Sequence, residues 1–204
     1  FEKHREVSGE HTFIPFNNWH ALVAGVECMR RDGQDYKVIL DSTFKVTTQK
    51  LVLICVALAG IHWDGGWMGT CIPLIFALCN RENTEAYQHA IECITDYIRD
   101  QFHVTGWYDR VSHCYIDGHG GSLSACTEWF QFARIIRCLQ HIRQNCVKRV
   151  PRRMVRQFQK DVEFSAFLPS LLLFDAFWQN NIERFEQLPK TKQWILFTLL
   201  NTSG

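Results

Sequence analysis

Two aspartates, Asp41 and Asp117, stand where apolar segments end, in the sequences VILD and CYID. Strands disfavour Asp, and burying a carboxylate is costly unless it is paired, hydrogen-bonded or bound to a metal ion. Carboxylates are ligands that Mg²⁺ or Mn²⁺ prefers, and two of them side by side suit two-metal phosphodiester chemistry. The competing interpretation is that each Asp only caps a turn, which Asp117 before GHGG fits well.

The segments that carry these aspartates are rich in β-branched and aromatic residues, which predicts strands. Five strands are predicted, at 36–46, 51–60, 71–79, 113–117 and 133–138, although the last segment also fits a helix start. The TTQK sequence at 47–50 suits a hairpin, and the Gly-rich residues 61–69 predict a turn. We expect three antiparallel strands, the first of them paired in parallel with the fourth, which puts Asp41 beside Asp117.

Helical spacing of apolar residues predicts the remaining elements. The expected N-caps are Asn17 or Asn18, Thr84, and Ser122 or Ser124. The chain is expected to be helical from Leu139 onward, with breaks at Pro151, Pro169 and Pro189. The resulting order, β-β-β-α-β-α-β-α followed by helices, is ribonuclease H-like. It predicts an α/β fold with a mixed five-stranded sheet. The chain is expected to divide into a helical lead-in at 1–35, the ribonuclease H-like core at 36–145 and an all-helical insertion at 146–204.

Four segments, in order, resemble Mutator-like transposases. They are LDSTFKV at 40–46, PLIFALCNRENTEAYQHAI at 73–91, YIDGHGGSLSACTEWF at 115–130 and RCLQHIRQN at 137–145. Ser42 stands where the family usually has Gly. The resemblance implies a DDE-type nuclease that cuts and joins DNA with Mg²⁺ or Mn²⁺, with Asp41 and Asp117 as its first two acids. It also implies a homodimer, and no small-molecule cofactor is expected.

The family's third acid is a Glu on a helix beyond a helical insertion. The acids available after residue 146 are Glu163, Asp175, Glu183 and Glu186. Glu183, in NNIERF, is the nearest to the family pattern, yet it lies within an amphipathic helix. We therefore expect the third acid beyond Gly204 and the insertion to be truncated. The alternative function is a domesticated or truncated DNA-binding domain without catalytic activity.

Cys138 and His141 are three residues apart, on one face if the segment is helical. One interpretation is half of a zinc site, completed by earlier residues such as Cys114, His119 or Cys126. The preferred interpretation places His141 in the active site, hydrogen-bonding near the scissile phosphate. The third possibility is that His141 is a core histidine whose hydrogen bonds are made within the protein.

Residues 134–160 contain nine Lys or Arg and no Asp or Glu, in a chain of net charge +1. Such a block attracts the phosphate backbone without reading base sequence. The candidate DNA-binding residues are Arg134, Arg137, Arg143, Lys148, Arg149, Arg152, Arg153 and Arg156, with Lys160 completing the block. The alternative explanation of the basic block is a helix face that is simply exposed to solvent. A further possible function of the chain is a protein-interaction domain that uses exposed aromatic residues.

The nine Cys residues are an odd number at irregular spacings, several of them inside apolar runs. Free buried thiols in a reducing compartment explain them better than disulfides, so we expect an intracellular protein, nuclear in a eukaryote. No apolar run is long enough to cross a membrane. Because the chain starts at Phe1, it is expected to be part of a longer protein.

Overall fold

The computed structural model describes residues 6–7, 12–30, 35–43, 51–63, 67–168 and 170–195. Within them the chain forms one mixed sheet of seven strands together with helices, which confirms the α/β class. The strands are β1 (Glu6–Val7), β2 (Thr12–Phe16), β3 (Tyr36–Thr43), β4 (Val52–Trp63), β5 (Trp67–Cys79), β6 (Val111–Ile116) and β7 (Arg134–Arg137). The helices are α1 (Trp19–Arg30), α2 (Thr84–Phe102), α3 (Gly120–Trp129), α4 (Leu139–Arg149), α5 (Arg152–Ala166), α6 (Leu171–Ile182) and α7 (Pro189–Ile195).

The strands lie in the order β1-β2-β5-β4-β3-β6-β7. β3, β4 and β5 pair antiparallel, and β3 pairs in parallel with β6, so both expected pairings are confirmed. Residues 133–138 form the strand β7 rather than a helix start. Alternate residues of β3, Val38 and Leu40 among them, are buried in the main core with the apolar face of α2.

The expected five-stranded sheet is too small, because β1 and β2 extend it within the segment predicted as a helical lead-in. β2 buries Phe13 and Pro15 and pairs antiparallel with the end of β5, where Phe13 meets Cys79. A strand of five residues owes its conformation to this pairing, which local periodicity does not report.

The turn predicted at 61–69 is also wrong in extent. β4 continues to Trp63 and β5 begins at Trp67, and these two residues are paired. The Ile and Trp residues that flank the glycines favour extended backbone, so the hairpin is longer than its Gly content suggested. Residues 64–66 and the TTQK segment at 47–50 lie outside the described residues.

The predicted N-cap is confirmed at α1 and wrong at α2. Asn18 Oδ1 accepts the N–H of Ala21, at 3.1 Å. At α2 the cap is Asn83, whose Oδ1 accepts the N–H of Ala86, and Thr84 is the first helical residue. Asn and Thr are both good caps, so the sequence alone did not separate the two adjacent positions.

The chain divides into two compact units, Phe1–Ile136 and Arg137–Gly204, whereas the expected boundaries were at 35/36 and 145/146. α1 shares the core of the first unit with the sheet, and so the lead-in is not separate from it. The second unit has its own core, built around Phe158, Trp178 and Phe185.

Proline positions agree with the helix breaks of the second unit. α4 ends before Pro151 and α7 begins at Pro189, while Pro169 lies outside the described residues. No helix in the described part of the chain combines the length and apolarity needed to span a membrane.

Leu40 supports the strand that carries Asp41, and we predict that Leu40→Ala destabilises the protein by about 2–5 kcal/mol, because it leaves a cavity in a close-packed core. The Leu40 side chain is 1% exposed. Urea denaturation gives the free energy of unfolding. Leu172→Ala is the matched control, since Leu172 is 79% exposed and its loss should change that energy by less than about 0.5 kcal/mol. Equal effects of the two substitutions would contradict the assigned core.

Candidate active site

Asp41 and Asp117 occupy neighbouring positions on two parallel strands. Leu40 of β3 is paired with Ile116, the last residue of β6, and each aspartate directly follows one of these two residues. Asp117 therefore lies one residue beyond the strand predicted to contain it. Both side chains are half-buried. The parallel pairing brings together two acids that are far apart in the sequence.

The carboxylate of Asp41 lies beside thiols of the neighbouring strands. Asp41 is paired across the sheet with Cys55 of β4. Burial, the nearby Cys71 and the charge of Asp41 together raise the pKa of the Cys55 thiol to about 12. Burial and Asp41 also raise the pKa of Cys71. Protonated thiols are poor metal ligands, so the chemistry available here is that of hard oxygen donors.

The carboxylate of Asp117 is held at the start of α3. Its Oδ1 accepts the backbone N–H of His119 at 2.8 Å and the hydroxyl of the fully buried Ser122 at 3.0 Å. The capping interpretation of Asp117 is thus realised. It does not exclude metal binding, because both bonds use Oδ1 and an ionised carboxylate has lone pairs on two oxygens.

Glu82 is the residue of this region that the sequence interpretation missed. Its side chain is 4% exposed, and its Oε1 accepts hydrogen bonds from Ser42 Oγ at 2.8 Å and from Tyr87 OH at 2.6 Å. Nδ1 of His119 lies 3.6 Å from the same oxygen. The available signal was an acid just before a helix cap with an aromatic hydroxyl five residues later, which does not by itself reveal burial.

His119 is the N-cap of α3, in place of the predicted Ser122 or Ser124. Its Nδ1 accepts the N–H of Gly121 at 3.1 Å. Because Nδ1 is an acceptor there, the neutral ring carries its proton on Nε2, and the approach to Glu82 is a close contact rather than a hydrogen bond. Burial, followed by the hydrogen bond to Glu82, raises the pKa of Tyr87, so this hydroxyl stays a donor.

The start of α3 is pressed against the start of α2. A Cβ added at Gly121 would lie 2.8 Å from the backbone carbon of Asn83 and 2.9 Å from the backbone nitrogen of Thr84. Real side chains do not tolerate such distances to backbone atoms, so glycine is required at this position. The segment after Asp117 is thereby fixed against the segment that carries Glu82.

His141 and Cys138 belong to the second unit. Cys138 is the N-cap of α4 and His141 lies in its first turn, and both are half-buried. In the described part of the chain, no group of three or more His, Cys, Asp or Glu side chains could hold a metal ion. The zinc alternative therefore gains no support, and a role for His141 beside the aspartates stays a prediction.

The absence of a three-ligand metal group among the described residues also concerns the Mg²⁺ site and its third acid. Asp41 and Asp117 match the one or two carboxylates with which proteins usually hold Mg²⁺ beside substrate phosphates. Among the acids considered for the third position, Glu163 pairs with Arg143 at 3.1 Å and Glu186 pairs with Lys192. Both pairs lie within the second unit, where they explain these two acids without a metal.

The basic block is exposed over most of its length. The exposed members are Arg134, Arg143, Lys148, Arg149, Arg152, Arg153, Arg156 and Lys160, and Arg137 is half-buried. Arg134 lies in the first unit and the others in the second. Arg152 and Arg153 start α5, where the helix dipole disfavours cations, and its first turn has no acidic residue. Stability alone does not account for these two arginines.

No protein-family model matches the chain, and no curated protein is significantly similar to it. The resemblance to Mutator-like transposases therefore rests on the four sequence segments. DNA as a partner, a homodimer and a nuclear location stay predictions.

We predict that Gly121→Ala lowers the free energy of unfolding by about 1–3 kcal/mol, because the new methyl group meets backbone that cannot move aside. Gly120→Ala is the matched control, since an added Cβ there would have no neighbour within 4 Å. Thermal unfolding of both variants measures the difference. A Gly121→Ala protein as stable as the Gly120→Ala protein would show that α3 does not pack this closely on α2.

Proposed function

We propose that this chain carries a ribonuclease H-like core that performs divalent-metal-dependent cleavage and strand transfer on DNA, as in DDE-type transposases. The observation that carries the proposal is the pairing of Leu40 with Ile116, which sets Asp41 beside Asp117. The strand order β5-β4-β3-β6 supports it, because its antiparallel β5–β4 and β4–β3 pairings and its parallel β3–β6 pairing are those expected from the sequence.

The chain's own groups orient the two carboxylates. The N–H of Ser42 binds Asp41 Oδ1 at 2.9 Å, and the N–H of His119 binds Asp117 Oδ1. Because like charges at adjacent positions repel, a cation between them would stabilise both ionised forms. Bound Mg²⁺ or Mn²⁺ would lower the pKa of an attacking water or 3′-hydroxyl and stabilise the leaving oxygen.

The exposed basic side chains supply the DNA contact of this proposal. Arginine and lysine bind phosphates independently of base sequence, and association would weaken steeply with salt. The arginines that start α5 have no counterpart acid in that turn, so a phosphate is the partner that their positions favour.

A DNA-binding domain without nuclease activity is the second candidate. It is favoured by the finding that the described residues contain no group of three metal-ligating side chains. In that case the fold and the basic surface serve DNA binding alone, and the two aspartates act as turn caps.

Asp41→Asn and Asp117→Asn are each predicted to abolish Mg²⁺-dependent cleavage of duplex DNA, a loss of at least about 10³-fold, because each removes an anionic metal ligand. The assay is nicking of a labelled DNA duplex in the presence of MgCl₂ or MnCl₂. Asp109→Asn is the control, since Asp109 is exposed in the 3₁₀ turn Trp107–Arg110. Undiminished cleavage by both variants would refute the proposal that these two aspartates form a nuclease site. Absence of cleavage in the wild type, with intact DNA binding, would favour the second candidate.

DNA affinity should fall with salt, and the combined change Arg152→Gln, Arg153→Gln and Arg156→Gln should flatten that dependence. Each lost phosphate contact lowers the slope of log K against log salt by about 0.9. Fluorescence anisotropy at several NaCl concentrations measures the slope. Lys190→Gln removes one exposed charge outside the block and is compared with Arg153→Gln alone. Identical slopes for these two variants and the wild type would remove α5 from the DNA interface.

A further inference from the structure

Ser42 and His119, which hydrogen-bond to the two aspartates, both contact one buried oxygen, Oε1 of Glu82. On one side, Ser42 gives its backbone N–H to Asp41 and its hydroxyl to Glu82. On the other side, His119 gives its N–H to Asp117 and places its ring 3.6 Å from Glu82. One carboxylate in the loop between β5 and α2 thus touches the residue that follows each predicted metal ligand by one or two positions.

We propose that Glu82 is a positioning residue that holds Asp41 and Asp117 in the orientation needed to bind a divalent cation; this inference rests on the proposed function of the two aspartates. Partners that orient the ligands of a metal site typically matter about 10–100-fold in metal affinity. Glu82 would act through Ser42 and His119 and would not touch the metal or the DNA.

The burial of Glu82 argues against a direct role as metal ligand. With its side chain 4% exposed, it is nearly inaccessible to a hydrated ion. Its Oε1 already accepts the hydroxyls of Ser42 and Tyr87, and Tyr87 is itself fully buried. A buried carboxylate is costly without donors, and these two hydroxyls supply them from β3 and α2.

Tight packing adds an independent observation. Gly121 brings the start of α3 against the backbone of Asn83 and Thr84, the residues directly after Glu82. The loop that carries Asp117 therefore cannot shift without moving the start of α2. An orienting residue requires rigid support of this kind, because a metal site tolerates displacements of its ligands of only about 0.5 Å.

The test is isothermal titration of the full chain with MnCl₂, with circular dichroism to establish that each variant is folded. Glu82→Gln removes the charge and keeps the shape, whereas Ser42→Ala and Tyr87→Phe each remove one hydroxyl and keep the charge of Glu82. Glu92→Gln is the matched control, since Glu92 lies on α2, the helix that follows Glu82, with its side chain 50% exposed. Asp41→Asn and Asp117→Asn report whether the aspartates bind the metal at all.

We expect Mn²⁺ to bind the wild type and not the two Asn variants, with Kd raised about 10–100-fold by Glu82→Gln and about tenfold by Ser42→Ala. Tyr87→Phe should act in the same direction as Ser42→Ala, and Glu92→Gln should leave Kd unchanged. A merely structural role of Glu82 would lower the melting temperature while the folded protein kept its Mn²⁺ affinity.

Three outcomes would overturn the inference, and they differ from one another. Wild-type affinity in Glu82→Gln, Ser42→Ala and Tyr87→Phe, with loss in the Asn variants, would remove Glu82 and leave the aspartate site intact. Weakening by Glu82→Gln alone would indicate a long-range charge effect rather than positioning. Binding that is absent, or that survives both Asn substitutions, would overturn the proposed function as well. If Glu82→Gln does not fold, the two hydroxyl variants decide.

Discussion

The candidate site of the first unit depends on two carboxylates that lie at adjacent positions of parallel strands. The β3–β6 pairing fixes the positions of Asp41 and Asp117, and it is itself held by the core beneath Val38 and Leu40. Each carboxylate is then bound by a backbone N–H from a following residue. Such donors stabilise the ionised forms. Backbone hydrogen bonds thus hold both carboxylates in place.

The groups around the two aspartates include a third carboxylate and a protonated thiol. Glu82 adds a third, nearly buried carboxylate in the same region, which accepts hydrogen bonds from two hydroxyl groups. The Cys55 thiol beside Asp41 stays protonated at neutral pH, because its pKa is raised to about 12 by burial, Cys71 and Asp41. Positive charge is instead concentrated at exposed positions of α4 and α5 in the second unit. Under the proposed function, the carboxylates would hold the metal ion and the exposed basic side chains would contact the DNA phosphates.

Much of the fold could be predicted from the sequence, because β-branched runs and helical spacing report local structure directly. The strand pair that carries the aspartates and the helix breaks near Pro151 and Pro189 are of this kind. What could not be predicted depends on tertiary contacts. β2 is a strand because it pairs with β5. His119 caps α3 through its ring nitrogen, and the nearly buried Glu82 takes its hydrogen bonds from Ser42 and Tyr87. The local sequence around these residues does not report those contacts.

Crystals soaked in MnCl₂ would reveal whether Asp41 and Asp117 jointly hold a divalent ion. Anomalous scattering from manganese locates the ion independently of the protein phases. We expect an anomalous peak about 2.0–2.3 Å from a carboxylate oxygen of each aspartate, the range of hard-cation ligands. No peak at this position in a crystal that binds manganese elsewhere, or a peak that persists in the Asp41→Asn protein, would contradict it.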